Sequence, residues 1–217
     1  FSFQNIFASI IGFSSREADL TDFAQLPKIA QECGKHVTII MCAAIKSDEG
    51  NSLETFQKNI RMAENIAFLA NTCEISKMIL ISSNAVYGVH MNHKIISENT
   101  PLYPDTYYSL SKYVTEKLLQ MAYEGKEKKL VILRPSTLYG PGETITPHTP
   151  SGFLNKYLIG DKITLWGDGT DLREFVFIDD IVRLLDKIIK SSFSGVLNIG
   201  GGKPRSYKDA LDIISKI

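Results

Sequence analysis

The sequence has little of what would support a disulfide framework, a membrane span or a polyanion-binding surface. Its three cysteines, Cys33, Cys42 and Cys73, are odd in number and far apart, which fits neither paired disulfides nor the spacing of a zinc site. They predict a reducing, cytoplasmic setting. The longest apolar runs reach about half the length a membrane-spanning helix needs, so no membrane association is expected. The opening FSFQNIFASIIGFSS is apolar but has no basic segment before it and no small-residue cleavage pattern, so it does not read as a signal peptide. A start at Phe1 rather than Met reads as part of something longer. Lys and Arg total 24 and Asp and Glu total 24; with no net field to hold a polyanion, nucleic acid is not an expected partner. What is present is a 44% hydrophobic chain of 217 residues, enough for a folded core in one domain with, at most, a small appendage.

Short apolar runs alternate with helical patterns. Residues 36–42 (HVTIIMC), 77–82 (KMILIS), 129–134 (KLVILR) and 195–199 (GVLNI) are rich in Val and Ile and nearly continuously hydrophobic, as strands buried on both faces are. Between and after them, helices are predicted over 22–33 with Gly34 as the stop and over 51–73 with Asn51 or Ser52 as N-cap. Three more are predicted over 105–123 with Gly125 as the stop, 179–190 and 206–217. Strand and helix in alternation predict an α/β fold, a doubly wound parallel sheet of the nucleotide-binding, Rossmann-like type. Such sheets bind ligands beyond the carboxyl ends of their strands. That directs attention to residues 42–46, 82–88 and 135–142, while 141–152 can carry the chain off the sheet into a smaller lobe.

Tyr108 and Lys112 stand four apart at the start of a predicted helix, as do Tyr113 and Lys117. That spacing places phenol and ammonium on one face. A nearby cation favours the phenolate, which suits a general acid or base. Lys117 is five residues past Lys112, so the two pairs face different ways, and spacing alone leaves either pair open as a surface pair. Ser82 and Ser83 directly follow a predicted strand, 25 residues before Tyr108. They are either hydroxyls at the sheet's ligand edge or caps of an ordinary loop. Residues 199–203 (IGGGK) evoke a phosphate-binding loop, but Leu197 and Pro204 stand where that loop needs Gly and Ser or Thr, so a tight turn is the better reading. His90 and His93 lack a third ligand nearby and no metal site is expected; Trp166 reads as a packing residue.

Taken together, SSNAVYG followed by YSLSK resembles the extended short-chain dehydrogenase/reductase superfamily, in its branch of NAD-dependent nucleotide-sugar epimerases and dehydratases. Further segments resemble it in order: Asp19-Leu20-Thr21-Asp22, Cys42-Ala43-Ala44 with Lys46, Asn59, Arg134 to Gly142 (RPSTLYGPG), Gly167 to Asp180 (GDGTDLREFVFIDD) and Phe193 to Ser206. The resemblance implies cofactor contacts from Asp19, Leu20, Cys42, Ala43, Ala44, Lys46, Asn59, Ser82, Tyr108, Lys112 and Pro135. It implies catalysis by Ser83, Tyr108 and Lys112, and substrate contacts from Ser83, Asn84, Thr137 and Arg173. Arg173 is expected on a loop edge after a strand-like KITLW, with an ion pair to Asp171, Glu174 or Asp179 as its alternative role.

The implied cofactor is NAD, with NADP left open, and the implied substrate is a nucleotide-diphosphate sugar. A homodimer is implied as well. The expected division is a cofactor domain over 1–140 with 174–200 and a small C-terminal substrate lobe over 141–173 with 201–217. The chain departs from the family in lacking any G-x-x-G-x-x-G, so the first βα unit is expected to be missing, and in having Thr137 where the family has Asn. Asn84-Ala85 follows Ser83 where dehydratases resemble one another in having Asp-Glu; neither residue here can transfer a proton. That favours epimerisation or a simple reduction over 4,6-dehydration; the expected activity is epimerisation, most like that of a UDP-glucose 4-epimerase, with dehydration or reduction as the alternative within the superfamily. A non-catalytic nucleotide sensor is the alternative from another class.

Overall fold

The computed structural model describes residues 10–47, 49–88, 95–143, 149–165 and 167–216. The chain divides into two units, 1–134 with 186–198 and 135–185 with 199–217.

The first unit holds α1 (Leu26–Ala30), β1 (Gly34–Met41), α2 (Leu53–Thr72), β2 (Ile75–Ile81), α3 (Tyr107–Tyr123), β3 (Lys129–Pro135, its last residue in the second unit) and most of a strand over Gly195–Ile199. These strands form one sheet, ordered β1, β2, β3 and the 195–199 strand. β1 runs parallel to β2 and β2 parallel to β3. Alternation of side chains puts Met78, Leu80, Leu130 and Ile132 on one face, packed with Ile66, Leu69, Leu119 and Ala122 of α2 and α3. Ile79, Val131 and Leu133, on the other face, are also fully buried. Lys77 shares that second face. Its ammonium donates to the carbonyls of Ile188, Ile189 and Ser191 and caps the last turn of the helix over Ile178–Lys190. Helices therefore cover both faces, as the doubly wound reading requires.

Local chemistry sets the boundaries. Ser52 and Thr55 form a capping box on α2, and Thr106 and Ser109 form one on α3, which begins two residues later than expected. Gly125, at φ +68°, turns the chain after α3. The helix expected over 22–33 is corrected to a 3-10 turn over Phe23–Gln25 and the short α1. Pro27, without an N–H, sits in the first turn of α1, Asp22 caps the turn before it, and Gly34 opens β1 instead of ending a helix.

The second unit has a core of Phe153, Ala210 and Ile214. In chain order it contains β4 (Thr137–Tyr139), α4 (Pro150–Leu158), β5 (Leu172–Arg173), β6 (Phe175–Phe177), the start of α5 (Ile178–Lys190), the last residue of β7 (Gly195–Ile199), β8 (Arg205–Ser206) and α6 (Tyr207–Ile214). β4 pairs with β6 in parallel and β5 with β8 antiparallel. Residues 161–165 are not a strand; Ile163 and Leu165 pack on this small core. The glycines after β7 form a turn, and Gly201 lies so close to the Phe175 backbone that a Cβ would collide with it.

Candidate active site

β2 ends at Ile81, and Ser82 and Ser83 follow at its carboxyl edge. Ser83 Oγ accepts the Ala85 amide at 3.1 Å and caps a 3-10 turn over Asn84–Tyr87, with Asn84 exposed and Tyr87 buried. Gly88 closes the turn at φ +85° against the Tyr103 carbonyl, where any side chain would collide. Ser82 is buried and its hydroxyl donates to Glu116, so it is turned inward while Ser83 remains half-buried at the edge.

The two tyrosine-lysine pairs have nearly the same internal geometry, 5.8 Å from Lys112 Nζ to the Tyr108 ring and 5.7 Å from Lys117 Nζ to the Tyr113 ring. Their surroundings differ. Lys117 is exposed, whereas Lys112 is buried and donates to the Ile81 carbonyl at 2.8 Å, one residue before Ser82. The structure thus joins the Tyr108 and Lys112 pair to the end of β2. The Tyr108 amide also meets Asn51 Oδ1 at 3.3 Å, fixing the first turn of α3.

Burial lowers the Lys112 ammonium to about 8, opposed by Cys42 and Glu116. An unfolded lysine keeps its proton to about 10.4. Between these values the unfolded chain binds more protons, so this group adds stability as pH rises through that window. The stability difference between wild type and Lys112→Met should therefore grow by up to about 2–3 kcal/mol between pH 7 and pH 10. Urea unfolding at the two pH values measures it, and a constant difference would mean a well-solvated ammonium.

At the end of β1, Cys42 and Ala43 are exposed, Ala44 and Lys46 half-buried. The loop is held by Asn59, whose amide accepts from the Ile45 N–H at 2.8 Å and donates to the Ile45 carbonyl at 3.0 Å and to Ser111 Oγ at 3.3 Å. Asn59 is buried and acts on this loop from beneath. Asp19 Oδ1 is taken by the amide and hydroxyl of Thr21, and the Leu20 carbonyl accepts from Asn65.

Sequence reasoning missed Glu116. It lies one turn beyond Lys112 on α3 and is 1% exposed, paired with the 4% exposed Arg134 of β3 through Nε to Oε1 at 3.0 Å and Nη2 to Oε2 at 2.6 Å. Arg134 Nη1 also donates to the Tyr87 hydroxyl, which donates to Asn198 Oδ1, both at 2.8 Å. A carboxylate in the lysine's own i, i+4 series, on the face that α3 buries, was the available signal.

In the second unit, Pro135 is buried at the end of β3, and Thr137 on β4 pairs its amide with the Glu174 carbonyl at 3.2 Å. Arg173 lies on β5 rather than on a loop edge. It stands 3.6 Å from Asp171, in a pair that is exposed, with its guanidinium 5.7 Å from the Tyr207 ring centroid. His90, His93 and Trp166 lie outside the described residues. Among the described residues no three His, Cys, Asp or Glu side chains cluster as metal ligands, and no helix is long and apolar enough to cross a membrane.

Residues 4–200 match the model of the NAD dependent epimerase/dehydratase family, and the chain belongs to that family. It is 29% identical over 208 residues to a dTDP-D-glucose 4,6-dehydratase of Dictyostelium discoideum, covering 88% of this chain and 46% of that protein. Among solved structures it resembles the UDP-N-acetylglucosamine 4-epimerase from Methanobrevibacter ruminantium in complex with UDP-N-acetylmuramic acid, with a TM-score of 0.82, 27% identity, and coverage of 91% and 64%. It also resembles the UDP-glucuronic acid 4-epimerase from Bacillus cereus in complex with UDP-glucuronic acid and NAD, with a TM-score of 0.78, 26% identity, and coverage of 90% and 63%. The chain therefore spans less than two thirds of the length of each of these relatives.

Proposed function

We propose that this chain forms the greater part of an NAD-dependent nucleotide-sugar 4-epimerase. The observation that carries the reading is the tie between Lys112 and the Ile81 carbonyl, which brings a buried ammonium beside Tyr108 to the strand end bearing Ser83. The residues suit a dinucleotide. Cys42 and Ala43 are small and exposed at the sheet's carboxyl edge, and the Lys112 ammonium is close enough to feel Cys42. One of its three N–H groups goes to Ile81, leaving donors for a ribose.

In this reading Cys42, Ala43, Ala44, Lys46, Asp19, Leu20 and Pro135 line the cofactor, with Asn59 holding the loop. The nicotinamide, when bound, supplies a reversible hydride acceptor, and NADP is not distinguished from NAD. Tyr108 takes the proton of the sugar hydroxyl at the carbon being oxidised and later returns it. Lys112 favours the ionised phenol and holds the ribose. Ser83 hydrogen-bonds the sugar oxygen as charge develops on it. Inversion follows when the keto-sugar presents its other face. Asn84 and Thr137 contact the sugar. The expected split of the chain into cofactor and substrate lobes, a homodimer and a cytoplasmic setting belong to the same proposal.

Dehydratases are among the relatives, but water removal needs an acid and a base beyond Tyr108, and Asn84-Ala85 provides neither. Denaturing the full-length protein and assaying the supernatant for nicotinamide dinucleotide tests the reading: release is expected, and a protein that neither carries nor binds NAD refutes it.

Arg173 is proposed to meet the substrate diphosphate, where its planar fork suits two oxygens. Its exposed pair with Asp171 contributes little to stability. Arg173→Gln should weaken nucleotide-sugar binding by about 1.5–3 kcal/mol at an unchanged melting temperature. Calorimetry should show a smaller loss for a ligand without the diphosphate. Unchanged affinity with a lowered melting temperature would make Arg173 structural.

A further inference from the structure

We propose that Glu116 is a positioning residue for this site, locking α3 to the end of β2 so that Tyr108 and Lys112 keep their places relative to Ser83. The inference rests on the reading above. Tyr108, Lys112 and Glu116 follow one another at i, i+4 and i+8, along one face of α3. The first two belong to the proposed chemistry, and the third is buried beneath them. Its Oε1 receives the Ser82 hydroxyl, while both oxygens are held by Arg134. Ser82 is further fixed by its amide to the Leu133 carbonyl at 2.7 Å, and Ile81 by the Lys112 ammonium. One carboxylate thus fastens the residue immediately before Ser83 to the helix that carries Tyr108 and Lys112.

Arg134 extends the lock to the far end of the Ser83 turn. It reaches the Tyr87 hydroxyl, and Tyr87 reaches the side chain of Asn198, whose backbone N–H donates to Glu98 Oε1 at 2.7 Å. A buried ion pair is poor value for stability, since well-packed apolar residues would serve as well. The directional bonds it makes here are what an apolar pair could not supply.

The groups facing Lys112 are Cys42 from the loop after β1, the Ile81 carbonyl from β2, and Tyr108 and Glu116 from its own helix. Removing the Glu116 charge therefore acts on Lys112 directly as well as through Ser82.

The test uses Glu116→Gln and the double variant Glu116→Gln/Arg134→Met in the full-length protein. The double variant leaves no buried charge unpaired, so it keeps the experiment open if the single variant does not fold. Two readouts are taken: kcat and KM with UDP-glucose and NAD, and the titration of Lys112 followed by NMR of its side-chain carbons in protein without substrate. The expected result is a kcat lower by roughly 10- to 100-fold, the scale for reacting groups displaced by about 1 Å. KM should stay within about twofold, and the Lys112 midpoint should lie below that of wild type. A wild-type kcat per folded molecule, or an unmoved Lys112 midpoint, would overturn the proposal. If wild type itself turns over no nucleotide sugar, the functional reading fails on that result alone, while the Lys112 titration still judges Glu116.

Discussion

Tyr108→Phe in the full-length protein should lower kcat by about 10²- to 10⁴-fold, the contribution of a positioned acid or base, with KM for the nucleotide sugar nearly unchanged. In the proposed role the phenol meets the reacting hydroxyl through its proton, so its loss should leave the shape of the site intact and be felt in the transition state. Tyr113→Phe is the control. That ring has the same relation to Lys117 as Tyr108 has to Lys112, but Lys117 is exposed and Lys112 is anchored to Ile81. Steady-state kinetics on both variants decide the assignment; equal losses would remove it.

The second large effect concerns stability. Arg134→Met removes the guanidinium that holds both Glu116 oxygens, so that among the described residues the buried carboxylate keeps the Ser82 hydroxyl as its hydrogen-bond partner and the Lys112 ammonium as a more distant charge. Breaking a buried pair from one side costs about 3–5 kcal/mol, far more than its formation contributes. Urea unfolding should show that loss in the single variant and most of the stability regained in Glu116→Gln/Arg134→Met, because the orphan charge is gone. If the single and double variants were equally destabilised, Arg134 would be valued for its packing rather than its charge.

The sheet was legible because strands buried on both faces are nearly continuous in Val, Ile and Leu, so residues 129–134 and 195–199 announced themselves within a residue at each end. α2 was legible through its Ser52 cap and apolar stripe and α3 through its stripe and the Gly125 stop, with α3 beginning two residues later than expected because Thr106 is its cap. Pro27 was in plain view and should have shortened the first helix. α4 went unread although Thr149-Pro150 is a strong N-terminal signal, because the Gly and Pro before it suggested only a loop.

At the candidate site, spacing left either tyrosine-lysine pair open and the family resemblance singled out Ser82, Ser83, Tyr108 and Lys112; the structure ties Lys112 to the carbonyl of Ile81, the last residue of β2. Spacing could not say that Ser82 turns inward or that Asn59 spends its amide on Ile45 and Ser111. Nor could it say that Glu116 and Arg134 meet across 18 positions of sequence. Those are facts of tertiary packing, in which the partner of a buried polar group is chosen by the fold rather than by its neighbours in the chain.

The central claim is that these residues invert a sugar carbon without removing water. Proton NMR of UDP-glucose incubated with the full-length protein and NAD tests it most directly. The account predicts that anomeric signals of UDP-galactose grow to equilibrium with no 4-keto-6-deoxy product. Formation of that product, or the absence of any new epimer from UDP-glucose, UDP-glucuronic acid and UDP-N-acetylglucosamine alike, would contradict it.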